Sequence, residues 1–160
     1  MDFVNEKDEV LGNLPKKEIY EKQLTHRIVH IFIFNNKGER ALQLQSRQKS
    51  FCPLHWATSA TGHVKSGETY EQAALRELEE EIGVKTTIDF LHKDLYEVRK
   101  GFTKFLSTFK TIYNGPFILK PDEVEKVEFF SLEEIQKMIK SGEKFHPELL
   151  FLLEKHFNIE

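Results

Sequence analysis

Between Gly62 and Val84 the chain carries a helix whose acids are badly placed for a helix and well placed for a cation. Thr69-Tyr70-Glu71-Gln72 has the form of a capping box, with Thr69 at the N-cap and Gln72 reaching back. Ala73 to Leu78 are mostly strong helix formers, and Gly83 is a natural stop. At about 100° per residue, Leu75, Leu78 and Ile82 share one face and Glu77, Glu80 and Glu81 the other. Ala73 and Ala74 lie near the acidic face, where small side chains leave room for something to approach. Glu79, Glu80 and Glu81 crowd the helix C-terminus, where the macrodipole disfavours negative charge. Glu77 and Glu81 are a like-charged pair four residues apart. Local rules broken in this way point to a functional site. One reading of the acids is a solvated helix face. The other is a site for a hard divalent ion, Mg2+ or Mn2+, which clustered carboxylates suit.

The spacing selects the second reading. Gly62, Glu68, Arg76-Glu77-Leu78, Glu80-Glu81, Gly83 and Val84 resemble the Nudix box at each fixed position. The resemblance implies an α/β fold, the Nudix α/β/α sandwich with a mixed β-sheet, and a metal-dependent enzyme acting on diphosphate compounds. It implies that Glu77, Glu80 and Glu81 hold the metal and serve catalysis. It implies that Glu68 and Arg76 brace the loop around the helix and that Gly62 and Gly83 permit its turns. One of Glu123, Glu125 and Glu128 would supply the distal carboxylate that many Nudix hydrolases use, with Glu123 the first choice. Arg47 and Lys49 stand where related proteins place cations for the diphosphate, and arginine suits bidentate phosphate contact. His63, beside the acidic site, is a third candidate for substrate contact.

The 160 residues suit one domain, 1–160, with residues 1–25 as an N-terminal extension or hairpin and 145–160 as a C-terminal helix. A net charge of −3 offers no global basic field for nucleic acid, so an anionic substrate needs a local cationic patch. Cys52 is the single cysteine, which excludes an intrachain disulfide and a multi-cysteine zinc site. The N-terminus shows no signal-peptide pattern, and no apolar run is long enough to span a membrane. A cytoplasmic setting is the expectation, and a homodimer is open by analogy alone.

Along the chain, residues 27–35 read as a strand buried on both faces, and Ala41 to Gln45 as its alternating partner. Ala57 to Thr61 form a small-residue strand leading to the box. Further strands are predicted near 87–98 and 103–113, with Phe105, Phe109 and Tyr113 on one face, and from Val124 to Phe130. Ser131-Leu132-Glu133-Glu134 opens a helix that stops at Ser141-Gly142, and Pro147 begins the last helix. His30 and Trp56 read as core residues. Phe51 and Phe102, in loops, are candidates for stacking on a base.

Asp8 to Gly12, His26-Arg27 and Trp56 resemble the isopentenyl-diphosphate isomerase branch of the superfamily, which is also similar to bacterial hydrolases sharing its N-terminal extension. The isomerases place a cysteine just before a Gly-His or Ser-His pair. Here Gly62-His63 stands at the pair with Thr61 before it, and Cys52 does not match. The two glutamates that isomerases carry on the strand after the box helix have no counterpart in Phe102 to Thr108. His26 matches a metal-ligand histidine of that branch and, without those glutamates, reads as structural or substrate-contacting. Hydrolysis of a nucleoside diphosphate derivative or related compound is the favoured activity. An isomerase and a non-catalytic ligand-binding module are the alternatives.

Overall fold

In a computed structural model, which describes residues 1–159, the chain begins with β1 (Asp2–Val4), β2 (Val10–Asn13) and α1 (Lys16–Glu21). Strands β3 (His26–Phe34), β4 (Arg40–Gln45), β5 (Trp56–Thr58) and β6 (Ala60–His63) lead to α2 (Tyr70–Ile82). Then follow β7 (Asp89–Arg99), β8 (Phe102–Ile112), β9 (Val124–Phe130), α3 (Leu132–Lys140) and α4 (Pro147–Phe157). Strands β3 to β9 form one mixed sheet. In it β3 runs parallel to β8, while the β3–β6, β4–β5, β4–β9 and β7–β8 pairs are antiparallel.

Side chains alternate to either face of a strand, and on β3 both faces are covered. Val29, Ile31 and Ile33 pack with Ala73, Ala74, Leu78 and Ile82 of α2. Ile28 and Phe32 pack with Leu149, Leu152 and Leu153 of α4 and Ile135 of α3. Burial on two sides is why this stretch is a nearly unbroken apolar run. His30 is the polar exception. It is buried and bonded to Thr58 Oγ1 at 2.8 Å and Glu148 Oε1 at 2.9 Å, a satisfied core histidine as expected. Trp56 is also in the core.

Three expectations need correction. The small-residue strand is two strands, because the chain changes partners at Ser59: β5 pairs with β4 and β6 with β3. The buried Ser59 hydroxyl makes the crossing tolerable, donating to Ala41 O and accepting from Ile33 N–H at 2.8 Å. The second correction concerns α2, which is rotated from the expected orientation. Leu75 is 37% exposed, whereas Ala73, Ala74 and Glu81 are buried with Leu78 and Ile82. The two alanines admit the sheet rather than a ligand. Third, Phe102 is fully buried and cannot stack on a base, while Phe51 is exposed.

Of the two N-terminal readings, extension or hairpin, β1 and β2 form an antiparallel hairpin, followed by α1, whose six residues are too few to show a helical period. Asp8, in the left-handed region at φ 62°, bonds Arg27 Nε at 2.7 Å, Lys93 Nζ at 2.8 Å and Tyr70 OH at 2.8 Å. Asp2 accepts from the Ser66 hydroxyl at 2.6 Å and from Gly67 N–H at 3.3 Å. These two acids fasten the hairpin to β3, β7, α2 and the loop before α2.

Candidate active site

The predicted capping box is present: Thr69 Oγ1 accepts from Gln72 N–H, and Gln72 Oε1 accepts from Thr69 N–H. At the other end Gly83 is left-handed, with φ +67°. A Cβ there would come 2.8 Å from Ile118 Cβ, so glycine also lets the 113–123 loop dock on the helix end. That loop caps the helix. Ile118 N–H and Lys120 N–H donate to the carbonyls of Ile82 and Glu81 at 3.0 Å each, groups a helix end otherwise leaves unpaired. Three residues later, a turn closed by Glu123 N–H on Lys120 O, together with Ser46 N–H on Glu123 O, sets Glu123 beside the helix.

Arg76 organises the start of the site. Its Nε and Nη2 donate to the two oxygens of Glu68 at 2.7 and 2.9 Å, a bidentate pair. Its Nη2 also reaches His63 O at 3.0 Å, and its Nη1 reaches Glu77 Oε1 at 2.7 Å and Glu80 Oε2 at 3.3 Å. The Arg76 guanidinium holds the Glu68 carboxyl below its ordinary range. Glu68 and Arg76 thus tie loop to helix, the arrangement the Nudix resemblance implied. Gly62 does something other than permit a turn. It lies in β6 opposite Val29, and a Cβ on it would overlap the Glu77 carboxylate.

Glu77, Glu80, Glu81 and Glu123 all line one cavity of about 400 Å³. The acids are not a solvated face, since Glu77 is 12% and Glu81 6% exposed, and only Glu80, at 47%, is open to water. Glu81 Oε1 accepts from Gln43 Nε2 and from Thr61 N–H, both at 3.0 Å. Burial, then the charge of Glu77, nonetheless push the Glu81 carboxyl up to about 8. Burial also raises Glu77, against the pull of Arg76. This buried pair of acids, with Arg76 on Glu77 as its one cationic hydrogen-bond partner among the described residues, is a donor set short of directly paired positive charge. Its carboxylate oxygens suit a hard divalent ion. Arg76 Nη1 stands between Glu77 and Glu80, bonded to both.

Lys16, Lys49, Lys65 and Lys120 line the same cavity as the acids. Lys49 Nζ meets Glu123 Oε2 at 2.6 Å. Lys16, partly desolvated and close to Lys49 and Lys104, has its pKa lowered. This is the local cationic patch that the overall charge did not display.

A family model described as the NUDIX domain matches residues 24–153. The chain belongs to the Nudix hydrolase family. Its Nudix relatives include the uncharacterized Nudix hydrolase PA4841 of Pseudomonas aeruginosa, 32% identical over 82% of this chain and 78% of that one. Another is the uncharacterized Nudix hydrolase lmo0368 of Listeria monocytogenes, 32% identical over 99% and 94%. The crystal structure of DR0079 from Deinococcus radiodurans shares the Nudix fold, with a TM-score of 0.84, 28% identity and 97% of each chain covered.

Of the residues picked from the Nudix resemblance, the structure gathers most but not all. Glu123 reaches the cavity, while Glu125 and Glu128 turn to Arg47 and Lys126. Lys49 lines the cavity. Arg47 does not: it is largely exposed and paired with Glu125 at 2.9 Å. His63 lines it, but its Nε2 shares a 2.6 Å hydrogen bond with the Tyr20 hydroxyl. Burial, and then Lys16, hold this imidazole far below its usual pKa, so it is neutral. Its ring joins Tyr20, His26 and Phe102 in an aromatic cluster that seats α1. Lys16, Lys120 and Gln43 were missed. Lys16 follows Pro15 at the start of a helix too short to recognise. Lys120 sits in a loop whose docking on Gly83 is a tertiary event.

Proposed function

We propose that this Nudix hydrolase cleaves a diphosphate linkage, with Mg2+ or Mn2+, in a nucleoside diphosphate derivative or related small molecule. One observation carries the reading: three carboxylates from α2, one from the loop before β9 and four lysines from separate segments line one cavity. Glu77, Glu80 and Glu81 are the residues that would hold the ion. When bound it neutralises phosphate charge and lowers the pKa of water. The lysines meet the remaining phosphate oxygens as point charges. Lys49 has two claims on it, and when phosphate draws its ammonium away, Glu123 Oε2 is freed to accept a proton from the attacking water. The hydrogen bonds from Gln43 and Thr61 fix Glu81 in one orientation, so the site is set before substrate arrives.

An isomerase is the second reading; the N-terminal extension, which that branch shares with bacterial hydrolases, supplies Met1 and Lys16 to the cavity wall. Its chemistry needs a proton donor, and Thr61, at the position of the isomerase cysteine, offers a hydroxyl instead of a thiol. Cys52 does not line the cavity.

The experiment is a panel of nucleoside diphosphate derivatives, dinucleotides and isopentenyl diphosphate, assayed for phosphate release with Mg2+ or Mn2+ and for deuterium uptake from D2O. Phosphate release from a nucleotide, lowered at least about 10- to 100-fold by Glu80→Gln, is the expected result. Wild-type turnover in that variant at saturating Mg2+ overturns the metal assignment. Deuterium uptake into isopentenyl diphosphate without phosphate release overturns the hydrolytic one.

A further inference from the structure

On the sheet face that α4 covers, opposite α2, a second group of ligand-type side chains comes together. His92 and Asp94 are two apart on β7 and so point the same way. His156 reaches them from α4. Asp94 Oδ2 lies 2.8 Å from His156 Nε2 and 3.2 Å from His92 Nδ1. One ligand atom from each residue falls within 4.8 Å of the other two, and among the described residues no other His, Cys, Asp and Glu trio does so. Asp94 is buried, and both ring nitrogens of His92 are buried with no hydrogen-bond partner. Buried polar atoms are nearly always paired, so an imidazole left with none needs a reason.

We propose that His92, Asp94 and His156 form a transition-metal site that pins α4 to the edge strand β7. Two imidazoles and one carboxylate are the donors of Zn2+, Co2+ or Ni2+, not of the hard ions that suit the all-carboxylate cavity. Donors around a tetrahedral ion with bonds of about 2.0–2.1 Å stand about 3.3 Å apart, close to the 2.8 and 3.2 Å that separate Asp94 Oδ2 from the two imidazoles. The rings of His92 and His156 are stacked, with centroids 3.4 Å apart and planes within 10°. A metal lies near the plane of each imidazole it binds, so one ring must turn. His92 is the more loosely held, with only the 3.2 Å contact to Asp94 against the 2.8 Å hydrogen bond of His156. Asp94 Oδ1 is taken by Lys155 Nζ at 2.7 Å, which leaves Oδ2 for the ion. The Lys155 charge opposes a cation, so removing it strengthens the site.

The test is titration with Co2+ and Zn2+ in excess Mg2+, read by calorimetry, by the visible spectrum of nitrogen-ligated Co2+ and by thermal melting. It is run on the wild type, on His92→Asn/His156→Asn, on Lys155→Met and on Glu77→Gln/Glu80→Gln/Glu81→Gln. We expect one ion per chain in the wild type and in the triple glutamine variant, with a rise in Tm on adding Zn2+. The double asparagine variant should lose affinity by about 100-fold, and Lys155→Met should gain it. Should the asparagine variant not fold, the gain in Lys155→Met and the retained binding in the glutamine variant decide. Undiminished Co2+ binding by a folded asparagine variant, or its loss only in the glutamine variant, overturns the proposal by placing the ion elsewhere. Absence of binding in every protein also overturns it and makes the trio an ion-paired clasp. None of these outcomes alters the reading of the carboxylate cavity.

Discussion

Gly62 and the Glu77 carboxylate occupy adjoining space so closely that no larger residue fits at 62 without moving one of them. Gly62→Ala should therefore displace Glu77 or push β6 outward, an overpacking cost of about 1–3 kcal/mol. A displacement of this kind in a catalytic group costs on the order of 10²-fold in rate. The expected result is a folded protein, judged by its urea midpoint, with kcat/KM reduced about that much. An alanine variant with full activity would show that Glu77 need not sit where it does. At this scale the identity of Gly62 was legible from spacing, but its reason was not. A glycine needed for close approach and one needed for a left-handed backbone look alike in a sequence, and of Gly62 and Gly83 it is Gly83 that is left-handed.

Among elements, α4 does more than cover the sheet, because Glu148 in its first turn carries a charge into the core. Glu148 accepts from His30 Nε2 at 2.9 Å and from Lys104 Nζ at 3.1 Å. Burial alone would raise its pKa, but the His30 hydrogen bond and the Lys104 charge outweigh burial and hold the carboxyl well below its ordinary 4.5. A carboxylate depressed in the folded state stabilises fully above its unfolded pKa, and the contribution is lost as pH falls below about 4.5. Stability measured by urea should thus decline from pH 5 to pH 3, and more steeply in the wild type than in Glu148→Gln. At pH 7 that variant should be weaker by about 3–5 kcal/mol, because Lys104 is left buried without its partner. An equal pH slope in both proteins would remove Glu148 from the acid transition. In the sequence the last helix was visible from Pro147 and its leucines. That Glu148 answers His30 and Lys104, each on a different strand, was not, since sequence distance says nothing about which buried groups will face one another.

For the molecule as a whole, the two faces of the sheet carry different electrostatic tensions, and that of the α2 side is one a bound cation would relieve. Glu81, raised to about 8 by burial and by Glu77, costs nothing below its unfolded value near 4.5 and an increasing amount up to about 8. In EDTA at neutral pH the Glu77→Gln/Glu80→Gln/Glu81→Gln variant should therefore melt higher than the wild type. Mg2+ at tenfold excess over its Kd should stabilise the wild type by about 1.4 kcal/mol. That corresponds to a rise in Tm of about 3 to 6 °C, which the variant should not show. The same Mg2+ shift in both proteins would mean that the ion binds elsewhere. The sequence alone specified the box, the capping boxes of α2 and α3, the doubly buried β3 and the mixed α/β architecture. Each of these is written in neighbouring residues through side-chain size, helix period or turn chemistry. Folding in three dimensions was needed to turn α2 so that Glu81 went inward, to break the small-residue strand at Ser59 and to bring Lys16 and Lys120 into the cavity of the glutamates. It was needed also to send Arg47 to Glu125 and to bring His156 to Asp94. In every one of these cases the partner lies far along the chain, and the energy that settles the matter, burial or charge, exists only once the two segments have met.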